Sequence, residues 1–401
     1  MDEKKIGLGL SGGGYRATLF NLGAIIRLNE FGLIRKISRI TSVSGGSITN
    51  GYLAMRWKDF KFNEDGVIEN LKETVVEPLW EFCSKPLDVR QVIFGLLDPF
   101  HHISDKIAGA YNKYLFKHFP MKSIPFGEGI PQFLFYGTNL QTGSSVRMIQ
   151  NMLYDWKIGA IKIDDWELAT IVGISSAFPP FLSPVILKLN PENWIKGKFS
   201  VCFEDKRYRE KLFLTDGGVY DNMGMESLWK KFNNELVEDS HDFNAFLHDD
   251  FNIVLISDAG DPLKFQQRPH KNWFSLLLRT LYIITDQARA VRKRWLIDKF
   301  QRKELSGTYW RIKTEIYNYR LRDEDKDEDA GPLVKDKEVN DKVINELSEI
   351  GTRLTSFSDT DKGKLINWGY ATADARIRAF VKDIEIKKHD PEWPFPEFAL
   401  N

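Results

Sequence analysis

Within its first 57 residues the chain twice runs from a short apolar segment through a glycine turn into a helix. The first unit is Ile6 to Leu10, then Ser11-Gly-Gly-Gly-Tyr15, then a helix from about Ala17 to Glu30. Leu19, Leu22, Ile25 and Ile26 recur there at helical spacing, and Gly32 follows as a stop. The second unit is Ile37 to Ser42, the turn Val43-Ser-Gly-Gly46, and a helix from Ile48 to Trp57. Two such units in succession point to an α/β layered domain with a partly parallel sheet, because parallel neighbours need a crossover and the helix supplies it.

The pattern then changes. Residues Phe62 to Phe119 carry helical periodicity broken at Pro78, Pro86 and Pro99, as expected of an inserted helical region that covers a site as a lid. Strand-like runs return at Gln132 to Thr138 and Val146 to Ile149, joined by the hairpin-like Asn139-Leu-Gln-Thr-Gly143. A helix is expected over Trp166 to Ala177, stopped by Pro179-Pro180. Further strands are expected at Lys211 to Leu214 and Phe251 to Ser257, where the sheet should end. Beyond lies a long helix, Trp273 to Gln301, apolar in its first half and basic in its second at Arg289, Arg292, Lys293 and Arg294. The charge run Asp323 to Asp329 reads as a surface loop. The expected organisation is a catalytic domain over residues 1–260 and a mostly helical C-terminal region over 261–401 packed on it.

Composition narrows the class. The 401 residues are 42% hydrophobic and carry 56 basic against 56 acidic side chains, so no global charge argues for a nucleic-acid polymer as partner. Cys83 and Cys202 are far apart and in no CxxC pattern, which gives neither a disulfide framework nor a thiolate metal site. With no HExxH and no EF-hand loop either, neither metal nor cofactor is expected. The start of the chain is charged and lacks the apolar core of a secretory signal. The apolar stretch Trp273 to Ile284, about 12 residues, falls short of the roughly 20 needed to cross a bilayer. A cytoplasmic protein that touches membrane only peripherally, at its inner face, is the expectation.

Three glycine-rich turns carry the chemistry. In Gly12-Gly-Gly-Tyr-Arg16, successive glycines let backbone N–H groups converge, and the helix that follows adds positive potential, so the loop can hold an anion or an oxyanion. Gly7-x-Gly9-x-x-Gly12 formally matches a dinucleotide fingerprint, but Gly7 and Gly9 lie inside the strand, whereas that fingerprint follows its strand. In Ser42-Val-Ser44-Gly45-Gly46, a serine sits at a strand-to-helix turn with small residues on both sides, as a nucleophile elbow requires. In Thr215-Asp216-Gly-Gly-Val-Tyr-Asp221, an acid ends a strand and is followed by two glycines that permit close approach of another loop. None of the seven histidines lies beside these turns, so Asp216 is the candidate base for Ser44.

The three turns together resemble the patatin-like phospholipases, whose pattern joins a glycine-rich oxyanion loop with an arginine, a GxSxG elbow and a downstream Asp-Gly-Gly. The resemblance runs from about Lys5 to Gly260, and Gly12 to Ala17 also looks like the oxyanion segment of the cytosolic group IV phospholipases A2. It implies a three-layer patatin-like, α/β-hydrolase-related sheet flanked by helices, with a helical lid insertion and a helical C-terminal extension. It implies Ser44 as nucleophile, Asp216 as base, and an oxyanion hole at Gly12, Gly13, Gly14 and Arg16. The elbow is Ser42, Gly45 and Gly46, with Ser42 standing where the family has glycine. Ser175-Ser-Ala-Phe-Pro-Pro180 resembles the family's helix end beside the site.

The implied activity is hydrolysis of phospholipid acyl esters through a Ser-Asp dyad and an acyl-enzyme. An acyltransferase with the same dyad and a non-catalytic anion-binding protein are the alternatives. The expected partner is a phospholipid membrane surface. It would be reached through aromatics of the insertion such as Trp80, Phe82, Phe94, Phe100 and Phe119, and through the basic run Arg289 to Arg294. Gly351 to Ser358 and Leu365 to Tyr370 resemble a tail of bacterial patatin-like proteins, some of which are cyclic-nucleotide-activated effectors of anti-phage defence. A cyclic nucleotide activator is thus implied as a further partner, and a homo-oligomer is the other partner expected.

Overall fold

The computed structural model describes residues 5–87, 103–180, 182–229, 251–260, 263, 265–268, 272–319, 332–352, 354–387 and 389–400. Phe94, Phe100, His101, His102 and the charged run 323–329 lie outside these. Among the described residues eleven strands form one sheet: β1 (Ile6–Leu10), β2 (Ile37–Ser42), β3 (Gln132–Asn139), β4 (Ser145–Ile149), β5 (Met152–Asp155), β6 (Gly159–Lys162), β7 (Val185–Lys188), β8 (Trp194–Ile195), β9 (Lys211–Asp216), β10 (Ile253–Asp258) and β11 (Ser306–Arg311). The main path is β11-β10-β1-β2-β3-β4-β5-β6-β8. The pairings from β11 to β3 are parallel and those from β3 to β8 antiparallel. The sheet does not end at β10. Ser306–Arg311 pairs with it in parallel along its whole length, so the C-terminal region supplies an edge strand as well as helices.

Helices cover both faces. On one side α1 (Gly14–Glu30) and α2 (Gly45–Arg56) lie against Ile6, Leu8 and Leu10, with α3 (Glu77–Cys83), α4 (Ile103–Tyr111) and α5 (Leu168–Ser175) completing the layer. On the other side Gly7 and Gly9 leave room for Leu228, Met223 and Ile256, because a Cβ on either glycine would meet a neighbouring side chain at 2.7 Å. That layer holds α6 (Gly218–Asp221), α7 (Glu226–Trp229) and the C-terminal half of α8 (Trp273–Gln301), which buries Leu296. Gly7 and Gly9 of the formal dinucleotide pattern are thus packing positions inside β1, and Gly12 lies in the loop that follows it. The C-terminal region ends in α9 (Lys337–Glu349) and α10 (Asp359–Phe380). Helices α1 and α10 cross with their backbones touching: a Cβ on Gly23 would lie 1.9 Å from the Ile366 carbonyl oxygen, and one on Gly369 would lie 1.9 Å from that of Phe20. As a result α1 is buried on nearly every side. Arg27 crosses the contact to pair with Asp374 at 2.6 Å, both side chains being out of solvent.

Of the insertion's aromatics expected at the membrane, the described ones, Trp80, Phe82 and Phe119, pack against the protein, while Tyr114 is exposed. Phe82 packs edge-on to Tyr15 with ring centroids 5.3 Å apart, Trp80 stacks on Phe395 at 4.6 Å, and Phe119 lies against the core. The basic run is not a solvated stripe either. Arg289 faces Asp258 and Asp286 at 3.7 and 2.8 Å, Arg292 faces Asp221 and Glu226 at 3.6 and 3.5 Å, and the Lys293 ammonium lies over the Tyr309 ring. These cations neutralise buried carboxylates at the C-terminal end of the sheet; of the four, only Arg294 is exposed.

Candidate active site

The register of the sheet brings the serine and the acid together. Strand β3 pairs with β4 along one edge. Along its other edge it pairs first with β2, Ser42 opposite Phe135, and then with the antiparallel β9, Gly137 opposite Asp216. β2 and β9 therefore approach each other end to end beside β3. Two residues beyond Ser42 the chain reaches Ser44, level with Gly137 and so with Asp216.

Ser44 has φ 50° and ψ −121°, a positive φ that a residue with a Cβ adopts only where its surroundings enforce it. The enforcement is local. Its amide donates to the carbonyl and to the hydroxyl oxygen of Ser175 at the end of α5, each at 3.1 Å. Gly45 lies against the backbone of Gly14, where a Cβ would come within 2.0 Å of the Gly14 carbonyl oxygen, and one on Gly46 would come within 2.4 Å of that of Leu10. Glycine at both positions therefore lets the elbow and the oxyanion loop touch. Ser42 disturbs nothing, because its hydroxyl donates to the Leu134 carbonyl at 3.2 Å and accepts from Ser47 and Asn50 at 3.0 and 2.9 Å beneath the turn.

Asp216 is 1% exposed. Its amide donates to the Ala177 carbonyl at 3.0 Å, and one carboxylate oxygen accepts from the Gly218 amide at 2.6 Å. Its Oδ2 has no hydrogen-bond partner among the described residues. Burial pushes the carboxyl pKa up to about 7, against the opposing pull of the Gly218 amide and the Ser44 hydroxyl. A carboxylate so placed is poised near neutrality with one free oxygen, as a general base must be. Asp221, five residues on, is a turn organiser, accepting from the amides of Met223, Met225 and Glu226. Ser175 and Ala177 thus hold the elbow and the acid from one short segment.

In the oxyanion loop, Gly13 and Gly14 have φ 138° and 58°. Their amides have no acceptor among the described residues, as the first turn of a helix leaves its N–H groups. The loop can receive an anion there. The expected roles of Gly12 and Arg16 need correction. The Gly12 amide donates to the Asn222 carbonyl at 3.1 Å, so it is engaged, and Gly12 serves instead by packing against the Ser44 Cβ. The Arg16 guanidinium donates to the carbonyls of Ile350, Ala259 and Ser348 at 2.8, 2.9 and 3.4 Å. It braces the loop against the C-terminal region. Of the described histidines, His118 pairs with Glu167 at 2.8 Å and His389 lies 3.7 Å from Glu30, both away from Ser44.

A three-layer α/β sheet with a serine on a strained strand-to-helix turn, an acid meeting it along the same edge of β3 and a glycine loop beside both defines the architecture of a hydrolytic enzyme. The particular family is shown by sequence: the family model described as patatin-like phospholipase matches residues 8–229, more than half of the chain, which belongs to that family. Among solved structures the chain is similar to human GIVD cytosolic phospholipase A2, with TM-score 0.52 and 12% identity over 93% of this chain and 59% of that one. It thus shares a fold with that enzyme while spanning about three-fifths of its length. VipD from Legionella pneumophila also aligns, with TM-score 0.34 and 11% identity over 93% of this chain and 66% of the other. No curated protein sequence matches the chain.

Proposed function

We propose that the chain is a lipid acyl hydrolase that cleaves phospholipid acyl esters through Ser44 and Asp216. The observation that carries this is the buried Asp216 carboxylate, one oxygen fixed by Gly218 and the other without a partner, beside the strained Ser44. As the Ser44 oxygen bonds to the ester carbonyl carbon, its proton passes to Asp216 Oδ2. The carbonyl oxygen becomes an oxyanion facing the amides of Gly13 and Gly14, donors of a kind worth about 2.7 to 4 kcal/mol each. Collapse breaks the bond to the leaving alcohol, which takes the proton from Asp216. Water then repeats the sequence on the acyl-enzyme, with the same carboxylate as base. Gly45 and Gly46 contribute by allowing the contact between loops, and Arg16 by holding the loop in place. The protein works in the cytoplasm, at the inner face of the membrane.

A fluorophosphonate probe tests the reading. Labelling of the wild type and not of Ser44→Ala supports it, and failure of both to label means an anion-binding protein instead. Mass spectrometry of products from mixed phospholipids separates hydrolysis, which releases free fatty acid, from acyl transfer to a second lipid or alcohol. The same incubation with and without cyclic nucleotides tests the activator that the C-terminal resemblance implies.

A further inference from the structure

Helix α8 has two unlike halves. Its C-terminal half is anchored by Leu296 and by the ion pairs of Arg289 and Arg292. Its N-terminal half carries Trp273, Phe274, Leu276, Leu277, Tyr282, Ile283 and Ile284, all exposed, from 39% at Phe274 to 75% at Trp273. At about 100° per residue, Trp273, Leu277 and Ile284 share one side, Tyr282 lies opposite, and Phe274, Leu276 and Ile283 occupy the flanks. Apart from Tyr282, the exposed apolar side chains spread over about half the helix circumference, with Ser275 and Arg279 on the remaining side, an arc broad enough for a soft apolar medium to cover. Charge narrows the medium further. Between Asp261 and Asp286 there is no acidic residue, while Lys264, Arg268, Lys271 and Arg279 are basic.

We infer that the N-terminal half of α8, Trp273 to Ile284, is the element that enters an anionic lipid surface and sets the active site against it. The inference rests on the reading of this chain as a lipid acyl hydrolase. No helix among the described residues is long and apolar enough to cross a membrane, and this half, about 18 Å long, matches roughly one leaflet of a hydrocarbon core. The helix also stands at the rim of the site. Tyr282 stacks on Phe178, ring centroids 6.1 Å apart, and Phe178 follows Ala177, whose carbonyl holds the amide of Asp216. Farther along α8, the Arg292 guanidinium lies over the ring of Tyr220, in the helix that follows Asp216. A lipid leaving the surface beside this helix meets the rim of the catalytic turns first.

The test uses the full chain and vesicles of equal parts phosphatidylglycerol and phosphatidylcholine, with pure phosphatidylcholine for comparison. The wild type should sediment with the anionic vesicles and less with the neutral ones. Trp273→Ser/Leu277→Ser/Ile284→Ser, and independently Leu277→Glu, should bind the anionic vesicles about tenfold more weakly or worse. Both variants should keep the thermal melt and the turnover of a short soluble ester. Brominated lipids should quench the wild type more than Trp273→Phe, which isolates the one side chain. Undiminished vesicle binding by a folded variant overturns the inference. So does light scattering that finds a wild-type dimer which the triple variant dissolves, since the patch is then an interface between copies. If neither wild type nor variants hydrolyse the soluble ester, the hydrolase reading fails, while vesicle binding still decides the role of α8.

Discussion

The Ser44 amide donates to two oxygens of a single residue, the carbonyl and the hydroxyl of Ser175, each at 3.1 Å. The Ser175 hydroxyl is also 2.8 Å from that of Ser47. Ser175→Ala removes one acceptor and leaves the carbonyl in place. A lost hydrogen bond of this kind is worth about 1 kcal/mol, so kcat should fall roughly threefold to tenfold with KM little changed. Steady-state kinetics on a soluble ester would show it, and an unaltered kcat would mean that the carbonyl alone holds the elbow.

Acid should silence the enzyme. As the base proposed for Ser44, Asp216 has to be ionised, and burial holds its pKa at about 7, so kcat/KM should rise with pH through about 7. The stability sign is opposite. A carboxyl whose pKa is raised on folding binds its proton more tightly in the native state, so its contribution to stability is lost as pH climbs from the unfolded carboxylate range to about 7. Asp216→Asn should therefore abolish turnover and melt at a higher temperature than wild type at pH 8, measured by circular dichroism.

Two glycines should respond in opposite ways to alanine. At Gly45 the new methyl meets the Gly14 carbonyl oxygen at 2.0 Å, so Gly45→Ala should force the catalytic loops apart and remove activity even where the protein still folds. At Gly109, inside α4, nothing lies within 4 Å, and Gly109→Ala should be neutral or stabilising by up to about 1 kcal/mol. Chemical denaturation with a parallel activity assay separates the two.

Removal of Asp374 leaves the Arg27 guanidinium buried without its main counter-charge. Breaking such a pair by deleting one partner costs about 3 to 5 kcal/mol. Asp374→Ala should lower the denaturation midpoint by a corresponding amount, though the residue lies far from Ser44 in the sequence.

Arg292→Glu should behave as a folding defect and not as a membrane-binding defect. The guanidinium faces Asp221 and Glu226, both buried, and a third acid there would repel them. The expected result is a loss of several kcal/mol in a urea titration, with vesicle binding by the remaining folded protein unchanged.

The strands β1 and β2 and the helix α8 were legible in the sequence, because apolar runs bounded by glycine turns and a long uninterrupted helical segment carry local signals. The glycine turns were legible for the same reason. Strands β5 to β8 were not: β8 has two residues, and the others have four each, too few for an alternation to stand out. Strand β11 follows a helix and pairs with β10 some fifty residues earlier, a partner only the tertiary fold selects. Arg289 and Arg292 read as a basic run facing the membrane because their acids come from other segments, Asp258, Asp221 and Glu226. Arg16 likewise bonds to carbonyls more than 240 residues away, which no local pattern records.

The crossing of α1 and α10 at Gly23 and Gly369 bears on how the molecule comes into being. A ribosome delivers both catalytic turns and the acid by residue 218, but the surface of α1 that Gly369 covers waits for some 150 more residues. At typical synthesis rates of about 5 to 20 residues per second, that interval lasts on the order of ten seconds or more. Through it the nascent chain holds a hydrophobic helix without its cover, and the Arg16 brace to Ser348 and Ile350 does not yet exist. The oxyanion loop is therefore among the last parts of the site to be fixed, and on the proposed reading the catalytic turns are complete only once the final long helix has docked.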